Sequence, residues 1–404
     1  MDTQSSSVKR NILIFYLSSV SYTLASGLLS EGYVQSFLLR LGLDTMGIGL
    51  YGTFSQLSAL LGYALFLLWH PRRRETYVRS IFFFGLWTVC LPLSLIGSGR
   101  WRFPVFLIYA GTVAYQLGIA LKFSCEYSAT PMLFPRERYG GISARCGMLG
   151  SGLAAAVSAT AGSLLSGKDP ISPYTVLFAL ALFALLLSAL PTRGYTALPA
   201  LDQAPSPASA SPSSPGLSRL LLILLPHLLR GMAAACFFYF VPVSFRSVTL
   251  SPLGESLFVT AGVLSTMAAC FLFMKLQSRF LTGRVILASN ILTAFAAMAA
   301  CQNASEPGFF ALYILYTLSY NVTAYAVPAG VLYSTPSPLL PRVSSLRLLV
   351  MSGATCALMT PVAGLLTHLP PLSVMAAGGL LHILSGLLFF AHHTDRLKYS
   401  TPSQ

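Results

Sequence analysis

The chain alternates long apolar blocks with short polar ones. Apolar runs of about 20 residues, the length a helix needs to cross a bilayer, recur throughout. They lie near 11–37, 45–69, 78–98, 103–127, 141–166, 171–190, 217–243, 253–275, 284–301, 308–332, 344–367 and 371–391. The pattern predicts an all-α polytopic membrane protein with twelve transmembrane helices. Gly, Ser and Ala dilute the fifth and eleventh runs. The first run is too long for a signal peptide and has no small-residue cleavage site before a soluble domain, so it is expected to stay as the first span. The longest polar interruption, "PTRGYTALPALDQAPSPASASPSSPG" at 191–216, is too rich in Pro, Ser and Ala to build a core. It reads as a linker between two six-helix halves, 1–190 and 217–404.

Composition supports a lipid-solvated chain. Of 404 residues, 55% are hydrophobic and only 9% charged, against about 25% charged in a soluble domain. The net charge of +14 would suggest nucleic acid in a soluble protein, but its placement argues otherwise. With both termini cytoplasmic, 18 of the 25 basic residues fall in inner segments, and only Arg40, Arg100, Arg102, Lys168 and Arg246 in outer ones. That asymmetry follows the positive-inside rule and leaves no role for nucleic acid. The seven cysteines fall almost entirely inside apolar runs, without CxxC or metal-ligand spacing. No disulfide framework, metal site or cofactor is expected.

The two halves carry a repeat. "YSATPMLFPR" at 127–136 and "YSTPSPLLPR" at 333–342 match at five of ten positions, 206 residues apart. The same offset relates Tyr33 to Tyr239, Arg40 to Arg246, Arg73 to Arg279, and Gly147 to Gly353. One register held at separate places indicates structurally equivalent halves. The repeated phrase falls at the inner exits of the fourth and tenth spans. There Pro135 and Pro341 can stop or redirect a helix, and Arg136 and Arg342 can latch an inner gate, as can Arg73 and Arg279.

Twelve spans, an inner linker and a parallel repeat resemble the major facilitator superfamily of secondary transporters over nearly the whole chain. The family's loop signature is partial: "WHPRRRETYVRS" keeps the arginines without Asp or Gly, and "QSRFLTGRVIL" keeps Arg279, Gly283 and Arg284 without Asp. The sugar-porter pattern fails at Glu126, Pro131 and Arg136, which are wrongly spaced. The antiporter pattern fails in "GMLGSGLAAAVSATAG", which has no Pro. The resemblance implies that helices 1, 4, 7 and 10 line a central cavity.

Ionisable groups within spans are costly and mark sites or pairs. Arg230, near the middle of the seventh span, would offer substrate a fixed cation; the alternative is a structural pair with an acidic group on a neighbouring helix. His227, three residues earlier, shares its helix face. Glu31 is a candidate proton carrier or, equally, an interfacial carboxylate. Lys122 and Glu126 share a face of the fourth span, in the less favourable order for an intrahelical pair. Glu126 reads as an ion pair or inner gate and a second proton-coupling candidate, whereas Lys122 could reach the cavity. Tyr313, Tyr316 and Tyr320, with Asn321, can contact a polar organic substrate or simply pack. Gln116 is a similar, weaker candidate. The stripe Tyr16, Ser19, Thr23, Ser26 and Ser30 reads as close helix packing, and so does Gly147, Ser151, Ala155 and Ala159. His382 reads as a packing residue with its hydrogen bonds satisfied.

The function expected is secondary active transport of a small polar organic solute across the cell membrane by a monomer, with proton coupling an open possibility. A multidrug or metabolite efflux antiporter is the alternative. HExxH, GxSxG, paired membrane aspartates and a P-loop are all missing from the sequence, which disfavours an intramembrane enzyme or a pump. A transporter-derived sensor would need a signalling domain.

Overall fold

In the computed structural model, the structure describes residues 2–69, 103–133, 139–165, 172–194, 217–248, 252–277, 282–335 and 340–393. All regular structure among them is helical. The helices are α1 (Asp2–Leu28), α2 (Glu31–Arg40), α3 (Thr45–Trp69), α4 (Phe103–Leu133), α5 (Tyr139–Leu165) and α6 (Ser172–Ala189), then α7 (Leu217–Phe237), α8 (Phe240–Ser247), α9 (Pro252–Gln277), α10 (Thr282–Ala300), α11 (Glu306–Ser334), α12 (Leu340–His368) and α13 (Pro371–His393). Among the described residues, ten segments are long and apolar enough to cross a membrane. The shorter α6 matches the sixth expected span. The third, 78–98, and nearly all of the linker lie outside the described residues. Large apolar side chains such as Phe106, Phe183, Phe295 and Leu380 point outward, as a lipid-solvated surface requires.

The first and seventh spans are each broken, which hydropathy did not foresee. α1 stops at Leu28. Ser30 then turns extended (φ −60°, ψ 151°) and α2 starts at Glu31. α7 stops at Phe237, and α8 restarts after Tyr239. The two breaks fall at corresponding places in the halves. α2 ends in a Schellman turn: Gly42 adopts φ 83°, its N–H bonds Leu39 O, and Leu43 N–H bonds Leu38 O. Asp44 then caps α3, its Oδ1 accepting from Gly47 N at 2.7 Å.

The halves meet along two seams. In one, α3 packs on α12. Thr53 and Thr360 share a hydroxyl hydrogen bond of 2.8 Å, and Cys356 Sγ lies 3.7 Å from Thr53 O. In the other, α5 packs on α9 and α11. The repeat-related glycines occupy these seams. A Cβ at Gly353 would meet Leu60, and one at Gly147 would meet Tyr325 and Cys270. Of the small-residue stripe in α5, Ser151 and Ala155 are buried, whereas Ala159 is exposed and takes no part.

Pro341 does not end a helix. α11 stops at Ser334, and Pro341 sits in the first turn of α12, where a missing N–H costs nothing. Pro135 lies outside the described residues.

Candidate functional site

A cavity of about 590 Å³ lies between the halves, within the size range of small-molecule sites. On one side α1 presents Ser19, Tyr22, Thr23 and Ser26, the break after it Ser30; α2 adds Gln35, α3 Gln56, and α4 Lys122 and Glu126. On the other side α7 presents Arg230 and Phe237, α8 Phe240, α9 Thr266, and α11 Tyr316, Tyr320 and Asn321.

Polar side chains reach the cavity for local reasons. In α4 Lys122 and Glu126 stand one turn apart, and Lys122 Nζ donates to Glu126 Oε2 at 2.6 Å despite the unfavourable order. Lys122 Nζ also lies 4.0 Å from the centre of the Tyr22 ring, a cation–π contact that helps offset desolvation. In α7, Arg230 is 7% exposed. One of its terminal nitrogens is 3.5 Å from Thr323 O, and its guanidinium lies 5.8 Å from the Tyr320 ring centre.

The period of α11 lines its tyrosines into a ladder. Phe240 stacks on Tyr316 with centroids 4.2 Å apart and planes 2° apart. Tyr316 continues onto Tyr320 at 5.9 Å. Asn321 Nδ2 donates to Thr266 Oγ1 at 3.0 Å, joining α11 to α9. Behind the ladder, Thr323 donates to Asn290 Oδ1 at 2.9 Å and Thr293 to Ser319 Oγ at 2.9 Å. These bonds fix α10 against α11.

Of the residues singled out by sequence, Lys122, Glu126, Arg230, Tyr316, Tyr320 and Asn321 all line the cavity. Two do not. His227 is buried with its ring edge-on to Phe389 at 5.1 Å, because three residues along a helix is 300°, enough to turn it toward α13. Gln116 is half-buried outside the lining. Glu31 opens α2 next to the cavity residue Ser30, and its side chain lies outside the described residues. Arg73, Arg136 and Arg279 lie outside them too, and Arg342 is exposed at the start of α12.

Sequence reasoning assigned the polar stripe of the first span to helix packing. Ser19, Thr23, Ser26 and Ser30 face the cavity, although Thr23 also packs closely on Gly150. Gln35, Gln56 and Thr266 carried no sequence signal beyond being polar within apolar runs.

At the α2/α8 end the cavity is closed. Leu28, Val34, Phe37 and Leu38 pack into one core with Phe237, Phe238, Tyr239 and Phe240. Gln35 Nε2 donates to Phe238 O at 2.9 Å across the halves, and Tyr239 Oη donates to Met359 O at 2.7 Å.

No family model and no curated protein matches the sequence. Solved structures match along nearly the whole chain. The xylose transporter XylE from E. coli, in an inward open conformation, gives a TM-score of 0.66 at 12% identity over 97% of this chain and 98% of that one. The major facilitator superfamily transporter FucP, in the outward conformation, gives 0.62 at 15% identity over 95% and 97%. A bacterial homologue of the iron transporter ferroportin, in an outward-facing state, gives 0.60 at 13% identity over 95% and 98%. The fold is that of the major facilitator superfamily, and the chain is a polytopic membrane protein.

Proposed function

We propose that the chain is a secondary transporter that moves a small polar organic solute across the membrane by alternating access. The observation that carries this reading is the cavity itself. It lies between the two halves, is lined by both, and brings Lys122, Glu126 and Arg230 to one space inside the bundle. Charged groups at that depth are expensive unless they serve a water-filled path or a ligand.

The halves, 1–190 and 217–404, rock about the cavity, with 191–216 as the tether. With the termini cytoplasmic, as the basic residues place them, the closed α2/α8 end faces outward and the structure is in an inward-facing or occluded state. The solute class suits the lining, which offers hydroxyls, amides, the charges of Lys122, Glu126 and Arg230, and stacked tyrosines.

The test is a solute screen by counterflow in proteoliposomes. Saturable exchange of a polar organic solute, lost in Arg230→Ala, supports the reading. Exchange of no solute by well-folded protein overturns it.

A further inference from the structure

His382 lies near the middle of α13 and is fully buried. Its backbone carbonyl accepts from Asn290 Nδ2 at 2.7 Å, which pins the helix there. Its ring stacks on Tyr320 (6.0 Å, 15°) and stands edge-on to Phe237 (5.4 Å, 82°). Neither ring nitrogen has a hydrogen-bond partner among the described residues. The expectation of a satisfied packing histidine is therefore not met. A buried polar atom left unpaired is costly, and such exceptions ask for a reason. Phenylalanine would stack equally well at that position without the cost.

Its surroundings supply a reason. Tyr320 is shared: the Arg230 guanidinium lies 5.8 Å from one ring centre and the His382 ring 6.0 Å from the same centre. Arg230 and His382 thus flank one and the same tyrosine ring. Among the described residues, His227 and Cys236 of α7 and Tyr320 of α11 face α13, Arg230 of α7 reaches the same Tyr320 ring, α10 offers Asn290 and Ala294, and α12 ends at the exposed His368. Arg230 is thus the fixed charge of that set, and it lines the cavity from which a solute arrives.

We propose that Arg230 and His382 form a linked anion–proton site, in which a small organic anion bound at Arg230 admits a proton to His382 and the two cross together. This rests on the transporter reading above. The proton comes from water and adds to the lone pair of an imidazole nitrogen; it returns to water after the anion leaves. A proton at His382 alone sets two cations in a poorly solvated pocket. An anion at Arg230 offsets one of them, so each ligand favours the other by linkage. A planar carboxylate suits the site, since it can meet the guanidinium in a fork and lie along the tyrosine ladder.

The test is calorimetry on the purified full chain with benzoate, in two buffers of different ionisation enthalpy, with neutral benzamide as control. The expected result is uptake of about one proton per benzoate bound and at least tenfold weaker binding of benzamide. His382→Gln and His382→Phe should still bind benzoate but take up no proton. Two variants guard against one misfolding, and the wild-type buffer dependence stands without either. Binding without buffer dependence overturns the proposal, as does proton uptake that persists in both variants and is lost in Glu126→Gln. Binding of neither benzoate nor acetate at millimolar concentration overturns it as well. That last outcome leaves the transporter reading intact, because counterflow tests it separately.

Discussion

Gln35 of α2 donates its side-chain amide to the backbone carbonyl of Phe238 at 2.9 Å, tying the break in the first span to the break in the seventh. Gln35 is 2% exposed, so the bond is shielded from competing water. It links the two halves across the closed end, and the Tyr239 Oη bond to Met359 O lies within that end. A neutral hydrogen bond contributes roughly 0.5–1.5 kcal/mol. Gln35→Leu should therefore shift the population toward opening at the α2/α8 end by about twofold to tenfold. The check is labelling of Ser26→Cys in the cavity by an impermeant thiol reagent, whose rate from that side should rise by a similar factor.

Gly49 and Gly147 set the two seams and should act in opposite senses. A Cβ at Gly49 would lie 2.5 Å from Tyr239 Oη and 2.8 Å from Ala363 Cβ, both across the seam. Gly49→Ala should wedge the α2/α8 end apart. A Cβ at Gly147 would press on Tyr325 and Cys270 near the other end. Gly147→Ala should loosen that end and lower Ser26→Cys labelling from the α2/α8 side.

The Lys122–Glu126 pair is a stability test. The two side chains are 4% and 12% exposed, so removing Glu126 takes away the carboxylate that balances the Lys122 charge. Breaking a buried pair this way costs about 3–5 kcal/mol. Glu126→Gln should lower thermal stability in detergent clearly. Lys122→Met with Glu126→Leu should recover most of it, because two apolar groups need no partners.

Arg230 and His227 should separate cleanly although they share a helix. Arg230→Ala removes a charged donor from the cavity wall, where hydrogen bonds to charge are worth about 1.5–3 kcal/mol, so solute affinity in counterflow should fall roughly tenfold or more. His227→Phe keeps the ring packed on Phe389 and should leave transport within about twofold, since His227 is not among the residues lining the cavity.

The spans were legible because bilayer thickness forces long apolar runs, and the repeat was legible because equivalent halves keep equivalent seam residues, such as Gly147 and Gly353. The breaks near Ser30 and Tyr239 were not. Gly27 and Gly32 flank the first break and Pro242 follows the second, but Gly and Pro recur throughout the spans and a hydropathy window averages across both breaks. Lys122, Arg230 and the α11 tyrosines stood out since polar groups are conspicuous in apolar helices. Ser19, Thr23, Ser26 and Ser30 did not, because the same helical spacing serves packing and cavity alike. His227 misled for a related reason. Residues three apart count as neighbours on a helix, yet one can face a cavity and the other a packed helix. His382 was misread because a sequence does not show which hydrogen bonds a buried ring lacks.

Distances at the two ends of the α3–α12 seam test the central claim most directly. Spin labels at Met46→Cys with Leu369→Cys report the α2/α8 end, and labels at Leu68→Cys with Arg342→Cys report the other; all four positions are exposed. Both pairs would be placed in a background cleared of accessible native cysteines. Alternating access predicts that Gly49→Ala lengthens the first distance and shortens the second. If the two distances stay fixed, or lengthen together, the halves do not rock about the cavity and the account is contradicted.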